Sequence, residues 1–224
     1  HNTYPYLSSA SDYWVSHAKQ FAGEITDKLS LDMDDLVIEI GSNDGIMLEN
    51  FSTKNIKHLG VDPSANVVEE AIKHGVQSIV SFFGLSSSQN IKLEYGNADA
   101  IISANVMCHL PDLNDIAKGA FNLLNDKGVL IFEDPYLGSM FDKVSYDQIY
   151  DEHVYIFSAL SASNIFERHG FELINLVPQE THGGSMRYVF AKKGARTVEP
   201  IVEDILSSEL DKGFNLEETY IQFK

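Results

Sequence analysis

The chain has 224 residues, of which 44% are apolar, and its 33 acidic residues outnumber its 16 Lys and Arg residues to give a formal net charge of −17. This composition is typical of a folded domain and excludes intrinsic disorder, and the acidic balance argues against nucleic acid or a membrane surface as a partner. Because no membrane span or signal segment is visible, we expect a soluble cytoplasmic protein. The single cysteine excludes internal disulfides and zinc clusters built on paired thiolates, and we predict no bound metal.

The first predicted element is a helix behind Ser11, a candidate N-cap, because apolar residues recur at intervals of three or four. These residues are Trp14, Ala18, Phe21, Ile25 and Leu29. Strands and helices then alternate as far as Pro135, which predicts a parallel, doubly wound sheet. The predicted strands are 36–40, 58–61, 76–80, 99–104 and 128–133, and the predicted helices are one that begins after Gly45, 65–74, one that ends near Gly96, and 112–124.

The alternating pattern stops after Pro135, where residues 136–157 are aromatic and polar without a clear period. A helix from Ser158 to Gly170 follows, and then two close strands, 171–177 and 186–192, which favour an antiparallel pair at a sheet edge. The predicted fold class is therefore α/β, a Rossmann-like doubly wound sheet that is mostly parallel with an antiparallel edge strand. We predict an N-terminal helical segment (1–30), a core (31–195) and an acidic C-terminal helical segment (196–224) that begins a further domain.

The first candidate site is the loop Glu39-Ile-Gly-Ser-Asn-Asp-Gly45, where the first strand ends and glycines let the backbone approach a ligand. It is not a GxGxxG dinucleotide fingerprint. Glu39 and Asp44 would repel a pyrophosphate but suit a ligand that carries an ammonium and a sulfonium group, such as S-adenosylmethionine. The alternative interpretation is a turn that binds nothing.

Asp62 is the second candidate, at the end of the second predicted strand. A carboxylate at that position accepts both ribose hydroxyls in nucleoside-binding sheets. Alternatively, Asp62 is a turn residue in the breaker pair Asp62-Pro63. Since the loop and the acid both follow carboxyl ends of neighbouring strands, we expect them to serve one ligand.

Two further candidates lie later in the chain. The exit of the fourth strand carries Asn105 and His109, for which the alternative is a histidine satisfied within a loop, and Cys108 is interpreted as a packing residue. Tyr150, Glu152 and His153 form a proton-transfer set: His153 as base, Glu152 orienting its other ring nitrogen, and Tyr150 donating to a developing oxyanion. The alternative is a solvated polar turn.

Five segments taken together resemble the sugar C-methyltransferases that act on nucleotide-linked keto-deoxyhexoses. They read VIEIGSNDGIMLENF, GVDPSANV, ANVMCHLPDL, YDEHVYIFSALSASNIFERHGFEL and THGGSMRY. The resemblance implies a class I methyltransferase fold and S-adenosylmethionine as cofactor. It implies cofactor-binding residues Glu39, Gly41, Ser42, Asn43, Gly45, Asp62 and Asn105. It implies a catalytic set of His153, Tyr150, Glu152, His109 and an N-terminal tyrosine, for which we choose Tyr6 over Tyr4.

The resemblance covers the catalytic core, without the zinc module that precedes it in the family and with only the beginning of the C-terminal domain. We therefore predict methyl transfer to an enolisable carbon of a small-molecule carbonyl substrate, a nucleotide-linked deoxysugar or another biosynthetic carbonyl compound, within a protein that has other domains. Arg187 is a candidate to offset the acidic charge beside an anionic acceptor. The alternatives are an O- or N-methyltransferase and a module that binds the cofactor without catalysis.

Overall fold

The computed structural model describes residues 4–223 of the chain. The strands are β1 (Leu36–Ile40), β2 (Lys57–Asp62), β3 (Ser78–Val80), β4 (Ala98–Ala104), β5 (Leu124–Pro135), β6 (Phe171–Gln179) and β7 (Ser185–Lys192). The α-helices are α1 (Asp12–Leu29), α2 (Glu49–Ser52), α3 (Ala65–Lys73), α4 (Leu85–Tyr95), α5 (Leu113–Leu123), α6 (Leu137–Lys143), α7 (Ala159–Glu167), α8 (Pro200–Asp211) and α9 (Glu217–Gln222).

The strand order of the sheet is β3-β2-β1-β4-β5-β7-β6. Neighbours β3, β2, β1 and β4 pair in parallel, whereas β7 pairs with β5 and β6 in antiparallel fashion. This confirms the predicted α/β, Rossmann-like, mostly parallel sheet with an antiparallel edge. Contacts divide the chain into two compact units: residues up to Ser103 with Asn122–Asn125, and Ala104–Phe121 with the rest of the chain from Asp126.

The first unit contains the parallel strands that carry the glycine loop. All five residues of β1 are buried, as expected for an apolar strand with neighbours on both edges. The register places Ile40 beside Val61. The residues that follow these two, Gly41 and Asp62, therefore emerge at the same edge of the sheet, as the sequence predicted.

Helix α1 confirms the periodicity in the N-terminal segment. Ser11 caps it by accepting a hydrogen bond from the amide of Trp14 at 3.4 Å, and the buried side chains, Ala18, Phe21, Ala22 and Ile25, lie on one face. The helix ends at Leu29, and the next residue, Ser30, adopts a left-handed conformation with φ 53°.

In the second unit, a buried acid attaches the C-terminal helix α8 to helix α7. The Glu209 side chain accepts hydrogen bonds from the hydroxyl of Tyr136 at 2.9 Å and from the amides of Ala159 at 2.7 Å and Leu160 at 2.8 Å. These amides open helix α7, where no intrahelical acceptor exists, so Glu209 satisfies them and adds a favourable charge at the helix N-terminus. The acidic segment is therefore held by a polar contact as much as by apolar packing.

Three local predictions were wrong. The glycine loop does not lead directly into a long helix, because Asn43 and Gly45 have positive φ and the next helix, α2, has only four residues. The segment 136–157 contains the helix α6, and β5 begins at Leu124 rather than at 128.

Helices are present in both terminal segments, while the boundaries at 30 and 195 remain predictions. Among residues 4–223, none of the helices is long and apolar enough to cross a bilayer.

Candidate active site

The loop after β1 requires unusual backbone conformations at three positions. Gly41, Asn43 and Gly45 have φ values of 69°, 48° and 84°, a region that favours glycine and tolerates asparagine. At Gly45, a Cβ atom would also lie only 3.0 Å from the side chain of Val76. The glycines are therefore needed for the shape of the loop, as expected if its backbone approaches a ligand.

Three carboxylates of this unit are buried around the loop. Glu39, Asp44 and Asp62 are 5%, 1% and 7% exposed. Burial raises the pKa of Glu39 well above its usual value, and the charges of Asp62 and Asp44 raise this pKa further. Within residues 4–223, Glu39 Oε2 and Asp44 Oδ1 have no hydrogen-bond partner. Buried carboxylate oxygens without partners are costly, so this cluster fits a cationic ligand such as S-adenosylmethionine, which carries an ammonium and a sulfonium group.

Asp62 is oriented by two backbone amides. Its Oδ2 accepts a hydrogen bond from the Asn43 amide at 3.0 Å, and its Oδ1 accepts one from the Ser64 amide at 2.9 Å. The contact with Ser64 is the local turn that the alternative interpretation requires, whereas the contact with Asn43 joins the two strand ends. Each carboxylate oxygen keeps a second lone pair, so the oriented carboxylate can accept both hydroxyls of a ribose.

The chain before α1 covers the same loop, which the sequence did not indicate. The amides of Ser8 and Ser9 donate to Asn43 Oδ1 at 3.1 Å and Asp44 Oδ2 at 3.0 Å, and Asn43 Nδ2 donates to the carbonyl of Tyr6 at 3.2 Å. The structure thus brings Tyr6 to the loop through its backbone. Its side chain is 44% exposed, and its catalytic role remains a prediction.

Two other predicted residues present buried oxygens. Ser42 is 2% exposed, and its Oγ has no hydrogen-bond partner within residues 4–223. In the second unit, Asn105 has a φ of 56°, and its amide donates to the carbonyl of Glu133 at 2.7 Å. Its Oδ1 is likewise buried and unpartnered in the described chain. A strained residue that presents an unsatisfied oxygen is typical of a binding site.

Two histidines of the second unit lie beside each other. The ring centroids of His109 and His153 are 5.0 Å apart. The Nδ1 atoms bond to backbone carbonyls, His109 to Glu152 at 2.7 Å and His153 to Gln148 at 2.8 Å. Because a carbonyl only accepts, each Nδ1 carries the proton, and a neutral ring keeps its lone pair on Nε2.

The hydroxyl of Tyr150 lies 3.0 Å from His153 Nε2 and, by the same reasoning, donates to it. The pKa of His153 is lowered, chiefly by burial and then by the charge of His109, although the Gln148 carbonyl and the charge of Glu152 oppose this. His153 is therefore neutral at physiological pH, and its basic nitrogen accepts the hydrogen bond from Tyr150.

One predicted contact in this set was wrong. We expected Glu152 to orient His153 through the second ring nitrogen, but that bond goes to the carbonyl of Gln148, and Glu152 binds His109 through its own carbonyl. Sequence reasoning also missed Asp134, whose Oδ1 accepts the amide of Cys108 at 3.2 Å and whose pKa burial raises to about 7. Burial likewise raises the pKa of the Cys108 thiol, consistent with packing rather than nucleophilic chemistry.

The connection before β7 forms one wall of a pocket in the same unit. His182 has a φ of 50°, and Gly183 and Gly184 follow with φ values of 76° and 132°. A Cβ at Gly184 would lie 2.5 Å from Ser139 Cβ, so this strained turn is closely packed. This small pocket is lined by Pro135, Tyr136, Met140, Ser145, Gln148, Ile156, His182, Gly183 and Gly184. Gln148 thus lines the pocket and also holds His153 through its carbonyl.

Arg187 does not face an acceptor. It is 3% exposed, and its Nη2 lies 2.9 Å from the carboxylate of Glu133, the residue opposite it on β5. The suggestion that Arg187 offsets the charge near an anionic substrate was therefore wrong. The buried pair instead supports the strained turn, because Thr181 Oγ1 donates to the other oxygen of Glu133 at 3.0 Å.

Comparisons with known proteins identify the family of the chain. The family model described as "Methyltransferase domain" matches residues 14–176. The C-methyltransferase NovU of Streptomyces niveus is 31% identical over 222 residues, which are 98% of this chain and 53% of NovU. The chain thus spans about half the length of this curated relative.

Two solved structures share the fold. An S-adenosylmethionine-dependent methyltransferase from Clostridium acetobutylicum superposes with a TM-score of 0.61 at 16% identity, covering 83% of this chain and 94% of that one. Magnesium protoporphyrin IX methyltransferase from Synechocystis with bound S-adenosylhomocysteine gives a TM-score of 0.61 at 15% identity and covers 80% and 83% of the two chains. At these identities the likeness concerns the fold.

Proposed function

Because the chain belongs to the methyltransferase domain family and is an S-adenosylmethionine-dependent methyltransferase, we propose that it methylates an enolisable carbon beside a ketone. The observation that carries this proposal is His153, a neutral imidazole whose basic Nε2 is held in place by the bond from Nδ1 to Gln148. A carbon acid needs such a base, whereas an oxygen or nitrogen nucleophile reacts largely through positioning. The identity to a C-methyltransferase supports the same chemistry.

Except for Asn105, the proposed cofactor residues belong to the first unit. Glu39 and Asp44 supply buried negative charge, Asp62 orients the ribose, and the positive-φ loop from Gly41 to Gly45 lets the backbone approach. The bound cofactor supplies an electrophilic methyl group on its sulfonium. The cluster of acids favours this cation over a neutral thioether.

The acceptor residues belong to the second unit. Tyr150 withdraws its hydrogen bond from His153 Nε2, which then takes the proton from the carbon next to the ketone. The Tyr150 hydroxyl then donates to the enolate oxygen. His109 donates through Nε2 only as an imidazolium, since the Glu152 carbonyl holds its Nδ1 proton. The bound cofactor would give its methyl group to this carbon, with cleavage of the sulfur–methyl bond and release of S-adenosylhomocysteine, and His153 would leave the step protonated.

We propose a nucleotide-linked keto-deoxysugar as acceptor. The motif resemblance supports this choice. Since Arg187 is bonded to Glu133, the phosphates of such an acceptor require other cationic groups.

The test is a methyl-transfer assay with S-adenosylmethionine that carries a ¹³C methyl group and a panel of nucleotide-linked 4-keto-6-deoxyhexoses. We expect a new carbon–carbon bond in the product NMR spectrum, and loss of turnover in His153→Ala with retained turnover in His74→Gln, a control at an exposed histidine. Transfer to oxygen or nitrogen, with turnover retained in His153→Ala, would contradict the proposal and favour the alternative methyltransferase class.

A further inference from the structure

The two histidines have a third neighbour with a metal-binding side chain. The Sγ of Cys108 and one ring nitrogen each from His109 and His153 all lie within 4.8 Å of one another. One thiolate and two imidazoles are a donor set that Zn²⁺ and Co²⁺ prefer. The arrangement escaped the sequence analysis because its ligands come from segments more than forty residues apart.

The hydrogen bonds of both histidines suit this role. Each Nδ1 donates to a backbone carbonyl, that of Glu152 or Gln148, and the lone pair is on Nε2. Metal-binding histidines in proteins commonly have such a bond behind them, because it fixes the tautomer and the direction of the ring. The ring of His109 is therefore prepared to coordinate an ion through Nε2. The ring of His153 can do the same once the ion displaces the hydrogen bond from the Tyr150 hydroxyl.

Backbone hydrogen bonds hold the two ligand-bearing segments together. The carbonyl of Cys108 accepts the amides of Val154 at 2.9 Å and Tyr155 at 3.1 Å, which follow His153 directly. On the other side, the amide of Cys108 donates to Asp134. The three ligand residues thus share one local framework, and an ion needs to move side chains rather than chain segments.

We propose that Cys108, His109 and His153 bind one Zn²⁺ ion, and that the bound ion inhibits methyl transfer. On binding, the sulfur–zinc bond replaces the thiol S–H bond and the proton passes to water. The two Nε2 lone pairs complete the protein ligands, with water in the fourth position. Zinc bonds of about 2.0–2.3 Å require the donor atoms to approach to roughly 3.3–3.8 Å, a small side-chain rotation. The ion then occupies the Nε2 lone pair of His153, which would otherwise accept the substrate proton.

The decisive measurement uses Co²⁺ as a spectroscopic probe of the oxygen-free protein. Because Cys108 is the only cysteine, a thiolate-to-cobalt band in the near ultraviolet reports on this residue alone. We expect the band at one equivalent of Co²⁺, its removal by Zn²⁺, and its absence in Cys108→Ala and Cys108→Ser, with His74→Gln unchanged. Far-ultraviolet circular dichroism shows that each variant is folded. Folded wild-type protein without the band would overturn the proposal.

A second measurement tests the inhibitory consequence. We expect micromolar or lower Zn²⁺ to stop methyl transfer by the wild type, reversibly with a chelator, and Cys108→Ala to need at least about tenfold more Zn²⁺. Equal zinc sensitivity of the two proteins would contradict the assigned ligand. The inhibition depends on the proposed function, but the cobalt spectrum does not. A protein that shows the band without transferring methyl groups would therefore retain the metal site and refute the C-methylation.

Discussion

The two candidate clusters, one in each unit, are built in opposite ways. Around the glycine loop, Glu39 and Asp44 are almost fully buried and each keeps an oxygen without a partner in the described chain. In the histidine cluster, both ring nitrogens of His153 are hydrogen-bonded and the ring is partly exposed. Buried carboxylate oxygens without hydrogen-bond partners indicate a site that binds a cation. A histidine whose two ring nitrogens are both hydrogen-bonded can act as a base only after the substrate displaces one of these bonds. Cofactor binding and proton removal should therefore fail separately when mutated.

The largest effect on the cofactor cluster is expected from Asp62→Ala. The loss of hydrogen bonds to two ribose hydroxyls should weaken S-adenosylhomocysteine binding about 10- to 100-fold, from roughly 1.5–3 kcal/mol for bonds to a charged group. Titration calorimetry measures this. Asp126→Ala, at a fully exposed carboxylate, is the matched control. Unchanged affinity in Asp62→Ala would show that Asp62 only stabilises the turn, and it would contradict the assignment of this cluster to cofactor binding.

The pH dependence of kcat/KM tests the role proposed for His153. The proposed mechanism requires neutral His153, and burial lowers the pKa of His153 from the usual value of about 6.5. The value of kcat/KM should therefore be constant near pH 7 and fall only below about pH 6.5. In Tyr150→Phe, the hydrogen bond that favours the neutral ring is lost, so this acidic limb should move to higher pH while kcat drops about tenfold or more.

The same variant should leave S-adenosylhomocysteine affinity unchanged. A profile in Tyr150→Phe that keeps its limb at the wild-type position would show that the Tyr150 hydroxyl does not act on His153, whatever the change in rate.

Alanine substitutions at two glycines with nearly equal φ distinguish the effect of backbone strain from the effect of side-chain packing. Gly45 and Gly75 have φ values of 84° and 80°, but only at Gly45 would a Cβ meet neighbouring atoms, those of Val76. Both alanine variants should lose about 1–2 kcal/mol of stability through the left-handed backbone, and Gly45→Ala should lose more through the contact. Chemical denaturation compares them. Equal losses would mean that Val76 adjusts and that the loop is less constrained than its geometry indicates.

The smallest expected effect is a change in the stability of the unliganded protein. Since burial and the neighbouring acids raise the pKa of Glu39, the folded state binds a proton more tightly than the unfolded state. The stabilisation that accompanies this proton is therefore lost as pH rises above about 4.5 towards the raised pKa. Glu39→Gln should raise Tm near neutral pH while weakening cofactor binding. A lower Tm would show that the Glu39 charge is already compensated without ligand.

The sequence predicted those parts of the site that depend on strand order. Glu39 and Asp62 lie near the ends of two apolar strands, and Gly45 lies in the loop after the first of them. The parallel register alone puts Gly41 and Asp62 at one edge. The contacts of His153 could not be predicted in this way. Its orienting partner is the backbone carbonyl of Gln148, which any residue type would supply, so no side-chain pattern marks it.

Arg187 shows a further limit of sequence interpretation. A lone arginine beside a glycine turn has the composition of an anion site, but the antiparallel register with β5 places it opposite Glu133. The pairing of β5 with β7 is a non-local property, and the burial of both charges follows from it. Helix α6 was missed for a related reason, since its apolar residues Leu137 and Met140 pack against Phe214, which comes from the distant C-terminal segment.

The most direct test of the central claim is deuterium exchange at the carbon next to the ketone. The protein is incubated in D₂O with S-adenosylhomocysteine and the keto-deoxysugar nucleotide, so that no methyl group is available, and wash-in is followed by proton NMR. We predict exchange by the wild type and by His74→Gln, and a rate reduced about 10²- to 10⁴-fold in His153→Ala, the range of general base catalysis. Exchange at the wild-type rate in folded His153→Ala would contradict the assignment of His153 as the base.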